Sequence, residues 1–196
     1  HPVTEFITGL DLVKQQIWIA EGKPLSFSQS DLKINGHAIE LRVYAEDPQN
    51  SFLPDIGVLK KYRLPKGIGV RVDDGYEEGM EIPVEYDPLI AKLVSYGANR
   101  SEAIARMRRA IDEYEIEGVR NTLEFGSLVM NDSDFCKGNF DAGFISNMPD
   151  NIYNENSDIT ESMIAAIVSC KFVDKFERAK LPENPIMRSK WRERMK

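Results

Sequence analysis

Arg42 has the surroundings that most resemble a chemical site. It falls in His37 to Tyr44, where the residues alternate strictly: Ile39, Leu41 and Val43 share one face, and Ala38, Glu40, Arg42 and Tyr44 share the other. The guanidinium therefore stands beside Glu40, and in line with Glu46 if the strand runs that far. A cation held by carboxylates can aim its planar fork at an anion or an enolate-like oxygen. A solvated arginine on the outer face of a sheet would show the same spacing. Asp87-Pro88 opens a further strand, and there Lys92 shares a face with Ile90 and Val94, which suits a snorkelling stem or a buried pair. Spacing alone supplies no catalytic constellation beyond this: there is no Gly-rich phosphate loop and no His or Cys pair at metal-ligand distance. The two histidines are His1 and His37, and His37 directly follows a turn, where a surface or turn-stabilising role is expected.

The elements that must position these residues follow from periodicity. Ile7, Leu10, Val13, Ile17 and Ala20 recur at three and four, which predicts one amphipathic helix ending near Glu21 at Gly22. Lys23 to Gly36 reads as a polar connector closed by the Asn35-Gly36 turn pair, with the Arg42 strand directly after it. Further strands are predicted at Val58 to Leu64, at Ile68 to Val72 after Pro65-Lys66-Gly67, and at Leu89 to Tyr96, with Pro83 fit only for an edge. Short strands joined by Gly, Pro and Asp turns imply an antiparallel sheet. Ser101 is the predicted N-cap of a helix whose stripe is Ile104, Met107, Ile111 and Tyr114, and a second helix is expected from Thr122 to Met130, broken by Asn131 to Asp134. After a low-apolar loop, Asn147 to Ser157, a helix with Ile164, Ile167, Val168, Val173 and Phe176 leads to a basic tail around Trp191. The fold class expected is α+β, an antiparallel sheet with helices packed on it and a helical C-terminal extension.

Composition narrows the classes of function. A chain of 196 residues with 42% hydrophobic content builds one medium domain and an appendage. No apolar run approaches the roughly 18 residues of a membrane span. The formal charge of −7 argues against nucleic acid, although residues 171 to 196 carry a net +5 and leave −12 for the remainder. Cys136 and Cys170 are too few for a disulfide framework and read as reduced thiols of a cytoplasmic protein. His1-Pro2-Val3-Thr4-Glu5 has neither an initiator Met nor a signal-peptide layout, so the chain is expected to begin inside a longer gene product.

Ordered motifs then carry a resemblance. His1 to Glu5, Gly9, Asp11-Leu12-Val13, Gln16 and Ala20-Glu21-Gly22 resemble the end of the biotin carboxylase catalytic domain. Gly36 to Pro48 (GHAIELRVYAEDP) resembles the signature that opens that family's C-terminal domain. Phe52-Leu53-Pro54, Gly57, Gly69-Val70-Arg71, Tyr86 to Leu93, Asn99-Arg100, Ala103-Ile104, Met107, Ala110-Ile111 and Gly118 to Thr122 follow in the family's order, so the resemblance runs from His1 to about Ile145.

The resemblance implies an ATP-grasp ligase that activates bicarbonate with MgATP to carboxyphosphate and carboxylates N1′ of biotin. Its general-base glutamate, nucleotide lysines, Gly-rich loop and metal carboxylates would precede His1, so this chain alone is expected to be inactive and to bind neither ATP nor Mg. Arg42 aligns with the arginine that contacts the biotin ureido oxygen and bicarbonate, and Ile68 and Arg71 fall in the segment that resembles the dimer contact. The implied partners are a biotin carboxyl carrier protein, because no Ala-Met-Lys-Met acceptor is present, a carboxyltransferase and a second copy of the chain. On this reading residues 1–22 end the ATP-grasp domain, 23–36 connect, 37–146 form the C-terminal domain, and 147–196 form a helical basic extension that caps the domain or docks a partner. An alternative is a non-catalytic dimerisation and docking module. A different ATP-grasp ligase of the carbamoyl-phosphate type would not be expected to carry the Gly36 to Pro48 signature.

Overall fold

Strict alternation in residues 37–44 yields a strand that sits at the edge of a three-stranded antiparallel sheet. The computed structural model describes residues 1–83 and 86–148. In chain order these form α1 (Pro2–Thr8), α2 (Leu12–Ala20), β1 (His37–Tyr44), β2 (Glu46–Asp47), β3 (Leu53–Pro54), β4 (Gly57–Val58), β5 (Lys61–Arg63), β6 (Val70–Asp74), β7 (Glu81–Ile82) and β8 (Leu89–Gly97). Then come α3 (Arg100–Glu113), β9 (Glu115–Glu117), α4 (Leu123–Asn131) and α5 (Ser133–Lys137). The chain divides into the units His1–Phe144 and Ile145–Lys196, and all of these elements belong to the first. The α+β class with an antiparallel sheet is as the sequence implied, whereas the expected C-terminal helix and basic tail lie outside the described residues.

The sheet runs β1-β8-β6, with β8 in the centre and both neighbours antiparallel to it. Register places Leu41, Leu93 and Val72 in one row and Ile39, Ser95 and Val70 in the next, all on the face against α3. Ala103, Ile104, Met107, Ala110 and Ile111 of α3 are buried there, and the Ser95 hydroxyl donates to the Ala103 carbonyl at 2.8 Å. The opposite face carries the row Arg42, Lys92 and Asp73 and, further along, Tyr96. There α1 covers part of the sheet, with Phe6 stacked on Tyr96 at 5.7 Å between ring centroids. Because cover comes from both sides, β8 is buried in runs, Ile90–Ala91 and then Leu93 to Ser95 on either side of half-buried Lys92, instead of alternately.

Several boundaries differ from expectation, each for a local reason. The single N-terminal helix is two helices: Gly9 adopts φ 72° and ends α1, and the Asp11 side chain accepts from the Lys14 N–H to start α2. No residue of α2 is buried among the described ones, and its Val13 and Ile17 are exposed. The strand expected over Val58 to Leu64 is split, because buried Leu59 turns inward and the chain changes partner from β7 to β9. β6 starts two residues later than predicted, since the turn continues through Gly69 at φ 71°. Asn99, not Ser101, caps α3, its side chain accepting from the Glu102 N–H at 3.0 Å. Asp132 both ends α4 and caps α5, accepting from the Asp134 and Phe135 N–H groups.

Candidate functional site

Arg42 projects from the face of the sheet opposite α3, as alternation requires, and its side chain keeps 59% of its surface exposed. Its Nε donates to Glu40 Oε1 at 3.3 Å, so the expected carboxylate partner is the observed one. The Tyr44 side chain first, and Glu40 second, hold the guanidinium above its ordinary pKa. Glu40, Arg42 and Tyr44 therefore form a short polar row along β1 that leaves the guanidinium largely open to solvent. Register sets Lys92 directly across from Arg42, and Asp73 across from Lys92, so the candidate site is a charged band over three strands. In β2, Glu46 is pushed above the ordinary carboxylate range by burial and then by the charge of Asp87. Asp87 itself is a turn residue whose carboxylate accepts from the Leu89 N–H at 3.0 Å.

Of the other predicted positions, Arg71 joins this band through its ion pair with Asp73, whereas Ile68 precedes β6 and has no place in the sheet register. Ile68 is 83% exposed in the turn before β6. That turn is pinned from behind, by Arg109 donating to the Lys66 carbonyl at 2.8 Å and by the Gly69 carbonyl accepting from the Tyr96 N–H at 2.8 Å. Arg71 is bound within the chain, its Nε at 2.6 Å from Asp73 Oδ1 and its Nη1 at 3.2 Å from Glu5 Oε2 on α1. Asp73 and then Glu5 supply the hydrogen bonds that raise its pKa.

Spacing did not reveal two further features. Arg100 donates to His37 Nε2 at 3.0 Å and to the Phe135 and Cys136 carbonyls, and it lies over the Phe135 ring at 4.8 Å. Burial and then the Arg100 charge depress the His37 pKa, so a neutral imidazole accepts there. Tyr62 and Tyr114 share a hydrogen bond of 2.7 Å beside Asp74, and burial raises the pKa of both phenols. The Cys136 thiol is free and faces the Met130 carbonyl at 3.3 Å. Among the described residues no helix is long and apolar enough to cross a membrane, and no group of three or more His, Cys, Asp or Glu is placed to hold a metal ion.

The sequence profile of the biotin carboxylase C-terminal domain matches residues 40–147 of this chain. The chain belongs to the biotin carboxylase C-terminal domain family. Among curated relatives, the mitochondrial propionyl-CoA carboxylase alpha chain of Sus scrofa is 44% identical over 189 residues, covering 94% of this chain and 26% of the relative. Biotin carboxylase 1 of Bacillus subtilis is 46% identical over 145 residues, covering 74% of this chain and 32% of that protein. A solved biotin carboxylase domain of thermophilic 2-oxoglutarate carboxylase, bound to bicarbonate, superposes with a TM-score of 0.75 at 44% identity, over 78% of this chain and 34% of the other. The chain thus spans about a quarter to a third of the length of the curated relatives. The alignment with the Sus scrofa protein covers 94% of the chain and so extends past residue 147, where the match to the family profile ends.

Proposed function

We propose that this chain is the C-terminal part of a biotin carboxylase, which uses MgATP and bicarbonate to form carboxyphosphate and transfers the carboxyl group to N1′ of biotin. Residues 1–22 are then the end of the ATP-grasp domain, 23–36 the connector and 37–146 the C-terminal domain. The remainder of the enzyme supplies nucleotide and metal binding, and a carrier protein or domain delivers biotin. The observation that carries this reading to a residue is Arg42: a guanidinium held by Glu40 and Tyr44 yet 59% exposed, on the sheet face that α3 does not cover. Removing the N1′ proton places negative charge on the ureido oxygen of biotin, and a preoriented planar cation stabilises that charge as it develops.

The family alignments support an alpha-chain type of carboxylase over a free-standing subunit. The pig propionyl-CoA carboxylase alpha chain aligns over 189 residues of sequence, while the Bacillus biotin carboxylase aligns over 145. On this reading residues 147–196 belong to a polypeptide that continues beyond the carboxylase domain, and the carboxyl acceptor is an acyl-CoA.

The test is carboxylation of biotin by the complete carboxylase carrying Arg42→Ala. Loss of one such donor costs about 10²- to 10³-fold in rate, on the order of 3 to 4 kcal/mol. Arg42→Lys should rescue poorly, because a point charge does not reproduce the fork. Near-normal carboxylation by Arg42→Ala, or loss only through unfolding, would make Arg42 an ordinary strand arginine. A docking role is compatible with this function and has its own observation, the 83% exposure of Ile68 on a rigid turn.

A further inference from the structure

Thr122 occupies the N-cap position of α4, where a threonine ordinarily accepts a hydrogen bond from the first turn of its helix, and it makes no such bond. Its hydroxyl is committed elsewhere. Thr122 Oγ1 donates to the Arg42 carbonyl at 3.1 Å and accepts from the Tyr44 N–H at 3.0 Å. The Thr122 N–H donates in turn to the Tyr44 carbonyl at 3.2 Å. One residue thus serves three backbone groups on the free edge of β1, acting as a one-residue strand partner. It does so at the position where β1 is least supported from the other side, since the register with β8 shifts between Val43 and Tyr44.

Thr122 is well placed to hold that edge rigidly. It is 5% exposed, and its carbonyl accepts from the Gly126 N–H at 2.9 Å. α4 lies so close to β1 that a Cβ on Gly126 would stand 2.5 Å from Leu41 Cδ2. The loop leading to Thr122 is tied down at Arg120, whose N–H donates to Asp55 Oδ2 at 2.6 Å. Arg42 needs this support, because its own side chain is restrained only by one 3.3 Å contact to Glu40 and by Tyr44. The direction in which the guanidinium leaves the sheet is therefore set by the backbone of residues 42–44, and a small rotation there is magnified along the side chain.

We propose that Thr122 is a positioning residue for the reaction: its hydroxyl fixes the Arg42–Tyr44 backbone and so aims the Arg42 guanidinium. This inference rests on the assignment of Arg42 given above. A misplacement of about 1 Å can cost on the order of 10²-fold in rate, so Thr122→Val, which keeps the shape and removes the hydroxyl, should lower biotin carboxylation by the complete carboxylase about 10- to 100-fold. Thr122→Ser should retain near-normal turnover.

The decisive readout is a double-mutant cycle with Arg42→Ala, measured as kcat for carboxylation at equal folded fraction. A residue acting through Arg42 has nothing left to position once Arg42 is gone, so Thr122→Val should cost little more in the Arg42→Ala background. A merely structural threonine would lower activity by the same factor in both backgrounds, and that result overturns the proposal. So does a Thr122→Ser enzyme as impaired as Thr122→Val, or a Thr122→Val enzyme of normal rate beside an impaired Arg42→Ala; in both cases the Arg42 assignment stands. A fully active Arg42→Ala enzyme defeats that assignment and this proposal with it. Should Thr122→Val fail to fold, Thr122→Ala removes the same hydroxyl without a second buried methyl and carries the same comparison.

Discussion

Gly97 closes β8 at the point where the chain swings over into α3, and a side chain there has no space. A Cβ built on Gly97 would lie 2.6 Å from the Ala103 N and 2.9 Å from the Glu102 carbonyl carbon, while ordinary contact begins near 3.4 Å. The obstacles are backbone atoms of the first turn of α3, so no side chain can rotate away, and the helix must lift by about 0.8 Å. A gap of that size forfeits roughly a quarter to a half of the dispersion energy of the atoms involved. The residues affected are Ala103, Ile104 and Met107, all buried against the sheet. Overpacking typically costs about 1–3 kcal/mol and occasionally more, and the lost chain entropy of glycine returns only about 0.4–1 kcal/mol. Gly97→Ala should therefore destabilise the chain by about 1–2 kcal/mol, which at roughly 2–4 °C per kcal/mol lowers Tm by about 2–8 °C. The assay is thermal and urea unfolding followed by circular dichroism, with Gly75→Ala as control. A Cβ on Gly75 meets nothing within 4 Å and its φ is not left-handed, so that variant should stay within about 0.5 kcal/mol of wild type. Equal stabilities for the two variants would refute the tight seating of α3 on the end of β8.

Ser95→Ala removes the buried hydroxyl that donates to the Ala103 carbonyl at 2.8 Å; the expected cost is about 1 kcal/mol, read from the urea midpoint. Burial and Asp87 raise the Glu46 pKa, so the folded state holds that proton more tightly and stability falls as pH rises from the unfolded-state value through the folded one. Glu46→Gln should flatten that decline and raise Tm at neutral pH; an unchanged Tm profile contradicts the assigned environment. Burial and Arg100 depress the His37 pKa, so the stability held above the unfolded-state value is lost as pH drops below it. A Tm series between about pH 7.5 and 5 should therefore be steeper for wild type than for His37→Gln. If the Ile68 turn is a self-association surface, Ile68→Glu should shift the sedimentation coefficient toward the monomer value; identical sedimentation of both forms removes that role.

Periodicity reached the elements in which burial and spacing agree. The alternation of residues 37–44 and the stripe Ile104, Met107 and Ile111 are realised as β1 and α3, with Tyr114 buried at the helix C-cap, because each lays one apolar face on a common core. The N-terminal helix was misread because Gly9 and Asp11 interrupt it without disturbing the three-and-four spacing of its apolar residues. Strands of two or three residues, such as β4, β5, β7 and β9, carry too few residues to show a period, and their pairings join positions as distant as Lys61 and Glu117. At the site, alternation correctly placed Arg42 beside Glu40. The links from Arg71 to Glu5, from Arg100 to His37 and from Thr122 to the β1 backbone were invisible, since each joins residues more than 60 positions apart. A polar cap residue with no cap bond is a signal that only the folded chain can give.

The central strand of the sheet is also the last of its three strands in the chain. β1 ends at Tyr44, and the strand that pairs with it does not finish until Gly97. During synthesis at about 5–20 residues per second, the apolar face of Ile39, Leu41 and Val43 therefore waits roughly 3–10 s for its partner. The sheet is dominated by non-local pairing, so it folds slowly for its size, on the millisecond-to-second side of the range set by contact order. Arg42 and Glu40 on the other face of β1 keep that unpaired ribbon charged while it waits, a protection against strand-to-strand association between nascent chains.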